Sequence, residues 1–232
     1  MLAFTSDIDW APEEVIADML SLFEAHRVKC TLFCTHKSKV IDNCNRELFE
    51  LAIHPNFNPV LEGKGTASFK AVFDELKNIF PEAKGIRSHS LAQSSHILSY
   101  ACENGIEYDS NILIPYANYL KPFNYWYNLV RIPYNFIDDA HWLYGNSFDD
   151  PKIDIKDSSI LNVLDFHPIH VFLNSEREST YLSAKQDYHN SEKLLKFRNK
   201  SDTKGTRDLL LKLLEDVKKN NLKTYKMIEI SR

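Results

Sequence analysis

Apolar residues fall into two rhythms that alternate along the chain. Short runs rich in β-branched, aromatic or small apolar residues read as strands: Leu2-Ala3-Phe4, Val28 to Thr35, Leu51-Ala52-Ile53, Lys84 to Arg87, Ile106 to Asn111, Leu129 to Ile132, Leu161 to Leu164 and Thr224 to Ile230. Between them, apolar positions recur every three or four residues, as on one face of a helix. Such stretches cover about 12 to 26 (Val15, Ile16, Met19, Leu20, Leu22, Phe23), 66 to 80 (Phe69, Val72, Phe73, Leu76, Ile79, Phe80), 91 to 104 and 206 to 220 (Leu209, Leu210, Leu213, Leu214, Val217). Residues 38 to 50 read as a further short helix, Gly63 to Gly65 as a loop, and Asn104-Gly105 as a helix stop. Two stretches break the rhythm. Residues 115 to 128 hold Tyr116, Tyr119, Phe123, Tyr125, Trp126 and Tyr127 with two prolines, an irregular aromatic loop. At the mouth of a site such rings stack on sugars; otherwise they pack among themselves as a lid. Residues 174 to 204 are polar and long for a structureless loop, which marks a functional lid or a mobile segment.

Roughly seven or eight short strands, most separated by helices and without internal repeats, argue for an α/β fold with a parallel sheet or barrel. A length of 232 residues suits one barrel-like domain over residues 1–232. The net charge of −4, with no basic block, makes nucleic acid an unexpected partner. No apolar run approaches the roughly 20 residues that span a membrane. The first strand begins at residue 2 and meets acids by residue 7, so no signal peptide is expected and the cytoplasm is the expected compartment. The four cysteines, Cys30, Cys34, Cys44 and Cys102, form no CxxC pair and read as buried free thiols. Cys30 and Cys34 share one side of a strand, but a C-x3-C spacing carries little weight as a metal site.

In parallel α/β folds, chemistry gathers where strands end. Several polar residues fall at those ends: Asp7 and Asp9, His54 with Asn58, Arg87 with His89, Asp109, Arg131, and His167 with His170. On an extended chain residues 7 and 9 point to one side, and like charges so close call for a cation. Alone, the acid pair also reads as a capping acid plus a solvated one, His54 as a hydrogen-bonded loop residue and Arg87 as a salt-bridge partner. Together, oxygen and imidazole donors without sulfur suit a divalent metal that activates water, such as zinc, with three protein ligands sufficient. A second acid then serves as base and a further histidine as acid. His141 and His189 read as surface residues, and His26 and His36 as helix-terminal or loop residues.

The order of these strand-end residues resembles the polysaccharide deacetylase family, the NodB-homology group of carbohydrate esterases. The matching stretches are Thr5-Ser6-Asp7-Ile8-Asp9, His54-Pro55-Asn56-Phe57-Asn58, Gly85-Ile86-Arg87-Ser88-His89-Ser90 and Asp165-Phe166-His167-Pro168. Together with Arg131-Ile132-Pro133-Tyr134 and Phe166-His167-Pro168-Ile169-His170, they further resemble the WbmS-like subgroup of surface-polysaccharide biosynthesis. The resemblance implies a distorted (β/α) barrel of about seven strands, and a metal-dependent enzyme that hydrolyses N- or O-acetyl groups on a sugar or surface-polysaccharide precursor. It implies Asp7 as general base, Arg87 as the residue that orients it, His167 as acid with His170 in reserve, and Asp9, His54 and Asn58 as metal ligands. Asn58 departs from the family pattern, which has a second histidine there; the proline and aromatic residue that usually follow the motif arginine are also absent. Two other readings remain at this stage: a hydrolase of a non-sugar amide, and an inactive barrel that binds glycan or a partner protein.

Overall fold

Strands form where β-branched and aromatic residues can be covered on both faces. The computed structural model describes residues 1–64 and 67–232. Its strands are β1 (Leu2–Asp7), β2 (Cys30–Cys34), β3 (Phe49–Ile53), β4 (Gly85–Ile86), β5 (Tyr108–Asp109), β6 (Phe123–Asn124), β7 (Val130–Arg131), β8 (Phe136–Ile137), β9 (Asn162–Asp165) and β10 (Thr224–Tyr225). They make one sheet in the order β6-β7-β5-β4-β3-β2-β1-β9-β8, with β10 added beside β1. Among the described residues, only β6 and β7 pair antiparallel. β7 and β8 are the two ends of one stretch, 130–137, so β5 on one side and β9 on the other are joined through it. A bridge between Leu113 and Tyr134 adds to this closure. The sheet is curled into a distorted α/β barrel, the architecture expected, built from ten short strands rather than seven or eight.

Alternation along the strands separates two apolar clusters. Leu2, Phe4, Leu32, Leu51, Ile53 and Leu164 pack with the surrounding helices. The helices Glu13–His26, Phe69–Ile79, Ser95–Glu103, Pro168–Leu173 and Thr206–Lys219 supply their apolar faces to this layer. Ala3, Phe33, Ala52, Tyr108, Val163 and Met227 form the other cluster. Polar residues of the same strand faces, Thr5, Asp7, Thr31 and Asp165, are buried with them. Gly85 of β4 lies against the Tyr108 ring: a Cβ there would stand 2.0 Å from Tyr108 Cζ. The Tyr108 hydroxyl donates to Glu50 Oε1 at 2.7 Å, which fixes the ring in that place.

Three stretches differ from the expected elements. Within 38–50 only Lys39–Asp42 is helical, and Phe49 and Glu50 already belong to β3. Glu50 is held there by bonds from Thr31, Tyr108 and the Ile228 amide. The last strand stops at Tyr225, and Met227–Ile230 turns helical so that Met227 and Ile230 enter the second cluster. Within 174–204 the chain forms the helices Glu178–Ala184 and Ser191–Leu194, anchored by buried Ala184 and Leu194. The helix expected from 66 begins at Phe69 behind a Ser68 cap. Gly65 and Thr66, in the expected loop and helix start, lie outside the described residues.

Candidate functional site

Arg87 follows β4 and is fully buried. Its Nη1 donates to Asp7 Oδ1 at 2.8 Å, to Thr5 Oγ1 at 3.1 Å and to Asp165 Oδ1. Ser110 accepts from Nε through its carbonyl and from Nη2 through its hydroxyl, each at 3.1 Å. The guanidinium lies between the rings of Phe33 and Tyr134, 4.2 Å from each centroid. One cation thus meets two carboxylates. Burial raises the Asp7 pKa above the ordinary carboxylate value, Arg87 opposes the rise, and Asp165 adds to it.

Asp9 reaches the same region by a different route from the one alternation implied. β1 ends at Asp7, and Asp9 and Trp10 are left-handed, with φ of 44° and 56°. Each such residue costs about 1–2 kcal/mol, although aspartate tolerates the region better than most. The turn brings Asp9 Oδ1 to 3.3 Å from His54 Nε2 and 3.2 Å from His89 Nδ1. Asp9 Oδ2 stands 3.5 Å from His167 Nε2. Burial works against ionisation of Asp9, but hydrogen bonds from His54 and His89 hold its carboxyl well below the usual range. His54 Nε2 is also 3.7 Å from Asp7 Oδ2, whereas its Nδ1 is buried without a partner among the described residues. The polar engagement of that ring is therefore directed at the two carboxylates. Burial opposes protonation of His54, and Asp7 and Asp9 more than offset it, so its pKa is raised.

Among the described residues, three groups bring metal-ligating atoms within 4.8 Å of one another. They are Asp9, His54 and His89; Asp138, His167 and His170; and Asp7, Asp165 and His167. Tetrahedral zinc with bonds of about 2.1 Å separates neighbouring donors by about 3.4 Å. The 3.2 and 3.3 Å separations in the first group match that edge. The second is taken up by the Asp138–His167 bond and the third by the Arg87 guanidinium. The first group therefore fits a divalent ion. Asn58, the third ligand implied by family resemblance, opens the short helix Asn58–Leu61 and donates its amide to Ser90 Oγ at 3.1 Å. The imidazole that joins His54 at Asp9 Oδ1 belongs to His89.

His167 precedes the helix Pro168–Leu173. Its Nδ1 is 2.7 Å from Asp138 Oδ1, and its backbone N–H donates to Asp138 Oδ2 at 2.9 Å. Both carboxylate oxygens are thereby occupied, and Nε2 is directed at Asp9. Burial lifts the Asp138 pKa to about 7, against the pull of His167. Burial disfavours charge on His167, but the carboxylate at Nδ1 outweighs it and raises that pKa well above the ordinary imidazole value. The two oxygens accepting N–H donors favour the proton on His167. His170 has no such partner among the described residues; burial keeps its ring well below the ordinary value, with His167 adding to the effect.

A cavity of about 730 Å³ opens over this region. Asp9, His89, His167 and His170 lie on it, with Trp10, Tyr181, Lys185 and Tyr188. Among the described residues, the aromatic loop at 116–127 contributes nothing to the cavity lining. It forms β6 at the sheet edge, with Tyr119, Phe123, Tyr125, Trp126 and Tyr127 exposed. Asp109 and Arg131 are also absent from the lining. They pair with each other at 2.9 Å, under the ring of Tyr125. His141 is not a surface residue. Tyr116 and the Ser147 carbonyl bond its two nitrogens, and Phe136 and Phe148 flank it. Asp138, Asp165 and Tyr188 are site residues that the sequence pattern did not single out. Asp138 and Asp165 do stand at strand ends, a signal that was available, whereas Tyr188 carries no local one.

The curled sheet thus gathers carboxylates, imidazoles and a buried arginine at the C-terminal ends of its parallel strands. The family model for WbmS-like polysaccharide deacetylases matches residues 4–185. The chain belongs to that family. It is 37% identical to WbmS of Bordetella bronchiseptica, assigned as a polysaccharide deacetylase involved in O-antigen biosynthesis; the match covers 93% of this chain and 90% of that one, with a TM-score of 0.84. The Bc1960 peptidoglycan N-acetylglucosamine deacetylase shares the fold at 16% identity, covering 99% of this chain and 86% of that one, with a TM-score of 0.53. So does 4-alpha-glucanotransferase of Thermococcus litoralis at 11% identity, covering 99% and 37%, with a TM-score of 0.54. No curated protein matches this chain.

Proposed function

We propose that the chain is a metal-dependent hydrolase that removes an acetyl group, on nitrogen or oxygen, from a sugar or surface-polysaccharide precursor. The observation that carries this reading is the meeting of Asp7, Asp9, His54, His89 and His167 at one end of the barrel, with Asp9, His89 and His167 on the cavity and Asp7 and His54 buried beside them. The part of WbmS in O-antigen biosynthesis supports the substrate class. Four unpaired cysteines suit a reducing compartment, and the cytoplasm is proposed as the place of action.

Asp9, His54 and His89 are the proposed ligands, with His89 in the role that the resemblance gave to Asn58. The donor set of one carboxylate and two imidazoles favours zinc. A divalent ion held there would supply Lewis acidity to the acetyl carbonyl and to an attacking water. Asp7 takes the proton of that water as general base. Its raised pKa suits the task, and Arg87 holds the carboxylate in orientation. His167, protonated and held by Asp138, gives its Nε2 proton to the departing nitrogen or oxygen. Trp10, Tyr181 and Tyr188 offer ring faces to a sugar.

Acetate release from acetylated sugars tests the assignment. Asp7→Asn and His167→Ala should each lower the rate by about 10²–10⁴ with the fold retained. Folded variants that keep full activity would sink it.

A further inference from the structure

The turn that carries Asp9 holds two consecutive left-handed residues, Asp9 and Trp10, neither of them glycine. Such a turn persists only where its surroundings hold it. Two side chains do so here. Thr35 Oγ1 accepts the Trp10 amide N–H at 3.0 Å. The Tyr188 hydroxyl donates to the Asp9 carbonyl at 2.7 Å. Thr35 follows the neighbouring strand β2, but Tyr188 comes from 179 residues further along the chain. It belongs to the segment 178–190, which also lines the cavity through Tyr181, Lys185 and His189.

We propose that Tyr188 is a positioning residue of the metal centre: its phenol holds the left-handed turn that aims Asp9, and so couples the segment 178–190 to metal binding. The proposal rests on the metal-site reading above. Its physical content is a coupling that runs both ways. The latched segment favours the metal-binding form of Asp9, and an ion at Asp9 favours the latched segment. The same segment faces the substrate cavity, so whatever fills that cavity bears on the latch as well. A mere tether between two loops would leave metal affinity unchanged when the hydroxyl is removed.

Tyr188→Phe removes that hydroxyl and keeps the ring. Zinc affinity of the full chain, wild type and variant, is read by competition with a chromogenic chelator, beside the thermal midpoint of the metal-free proteins. Loss of outer partners of metal ligands typically weakens binding 10–100-fold, and about tenfold is expected here with the metal-free midpoint unchanged. Equal affinities overturn the proposal, as does a lowered midpoint with affinity intact. Limited proteolysis of the wild type needs no substitution: zinc should slow cleavage within 178–190, and cleavage indifferent to zinc overturns the coupling. If the wild type binds neither zinc, cobalt nor manganese, the metal site itself is refuted and the latch falls with it.

Discussion

Arg87 faces two carboxylates, and burial together with the excess negative charge leaves Asp7 with a raised pKa despite a guanidinium at 2.8 Å. A buried group of this kind acts as a unit, because stripping one member leaves an uncompensated charge at a cost of about 3–5 kcal/mol. The Asp138–His167 pair is a second unit. Asp138→Asn retains the shape but presents an amide to one of the two His167 N–H donors. It should lower kcat by about 10²–10⁴ with little change in KM, checked by steady-state kinetics on a variant whose circular dichroism matches wild type. Asp7, His54, Arg87 and His167 were legible in the sequence because each closely follows an apolar run. The pairing of Asp138 with His167 spans 29 residues, and nothing local to either announces it. His89 was legible as a strand-end residue, but its reach to Asp9 depends on two loops meeting, which spacing along the chain does not encode.

At the level of elements, the long amphipathic helices follow their sequence pattern closely, since one apolar stripe is enough to specify them. The helix expected from 206 to 220 spans Thr206–Lys219. Short elements depend on partners instead. The C-terminal stretch from Thr224 to Ile230 carries no pattern strong enough to sustain a strand: β10 pairs with β1 over two residues, and Met227 is then drawn into the barrel. β4 shows how tight such contacts are. Gly85→Ala would drive a methyl group into the Tyr108 ring, which its bond to Glu50 holds still. Overpacking of this kind costs about 1–3 kcal/mol or more. The loss should appear as a lower urea midpoint, and Tyr108→Leu in the same chain should recover part of it through non-additivity.

For the whole molecule, a metal that binds only the folded chain stabilises it by mass action. Zinc at about 100 times its dissociation constant should add about 2.7 kcal/mol, or roughly 5–10 °C in thermal midpoint for a chain of this size. A chelator should reverse the shift, and His54→Ala should abolish it. Calorimetry with and without zinc is the check; an unchanged midpoint would count against the proposed centre.

The two hydrophobic rhythms by themselves determined the α/β class, the main helices and the strand ends at which the polar residues cluster, because those features are encoded by neighbours in the chain. Which polar residues share a site was decided by the curl of the sheet. It joins β5 and β9 through residues 130–137, buries Arg87 between Asp7 and Asp165, and takes the aromatic loop to an outer edge. The turn at Asp9 and the reach of Tyr188 to it are likewise products of tertiary contact. Backbone strain of that kind is held by distant partners, and distance along the chain hides them.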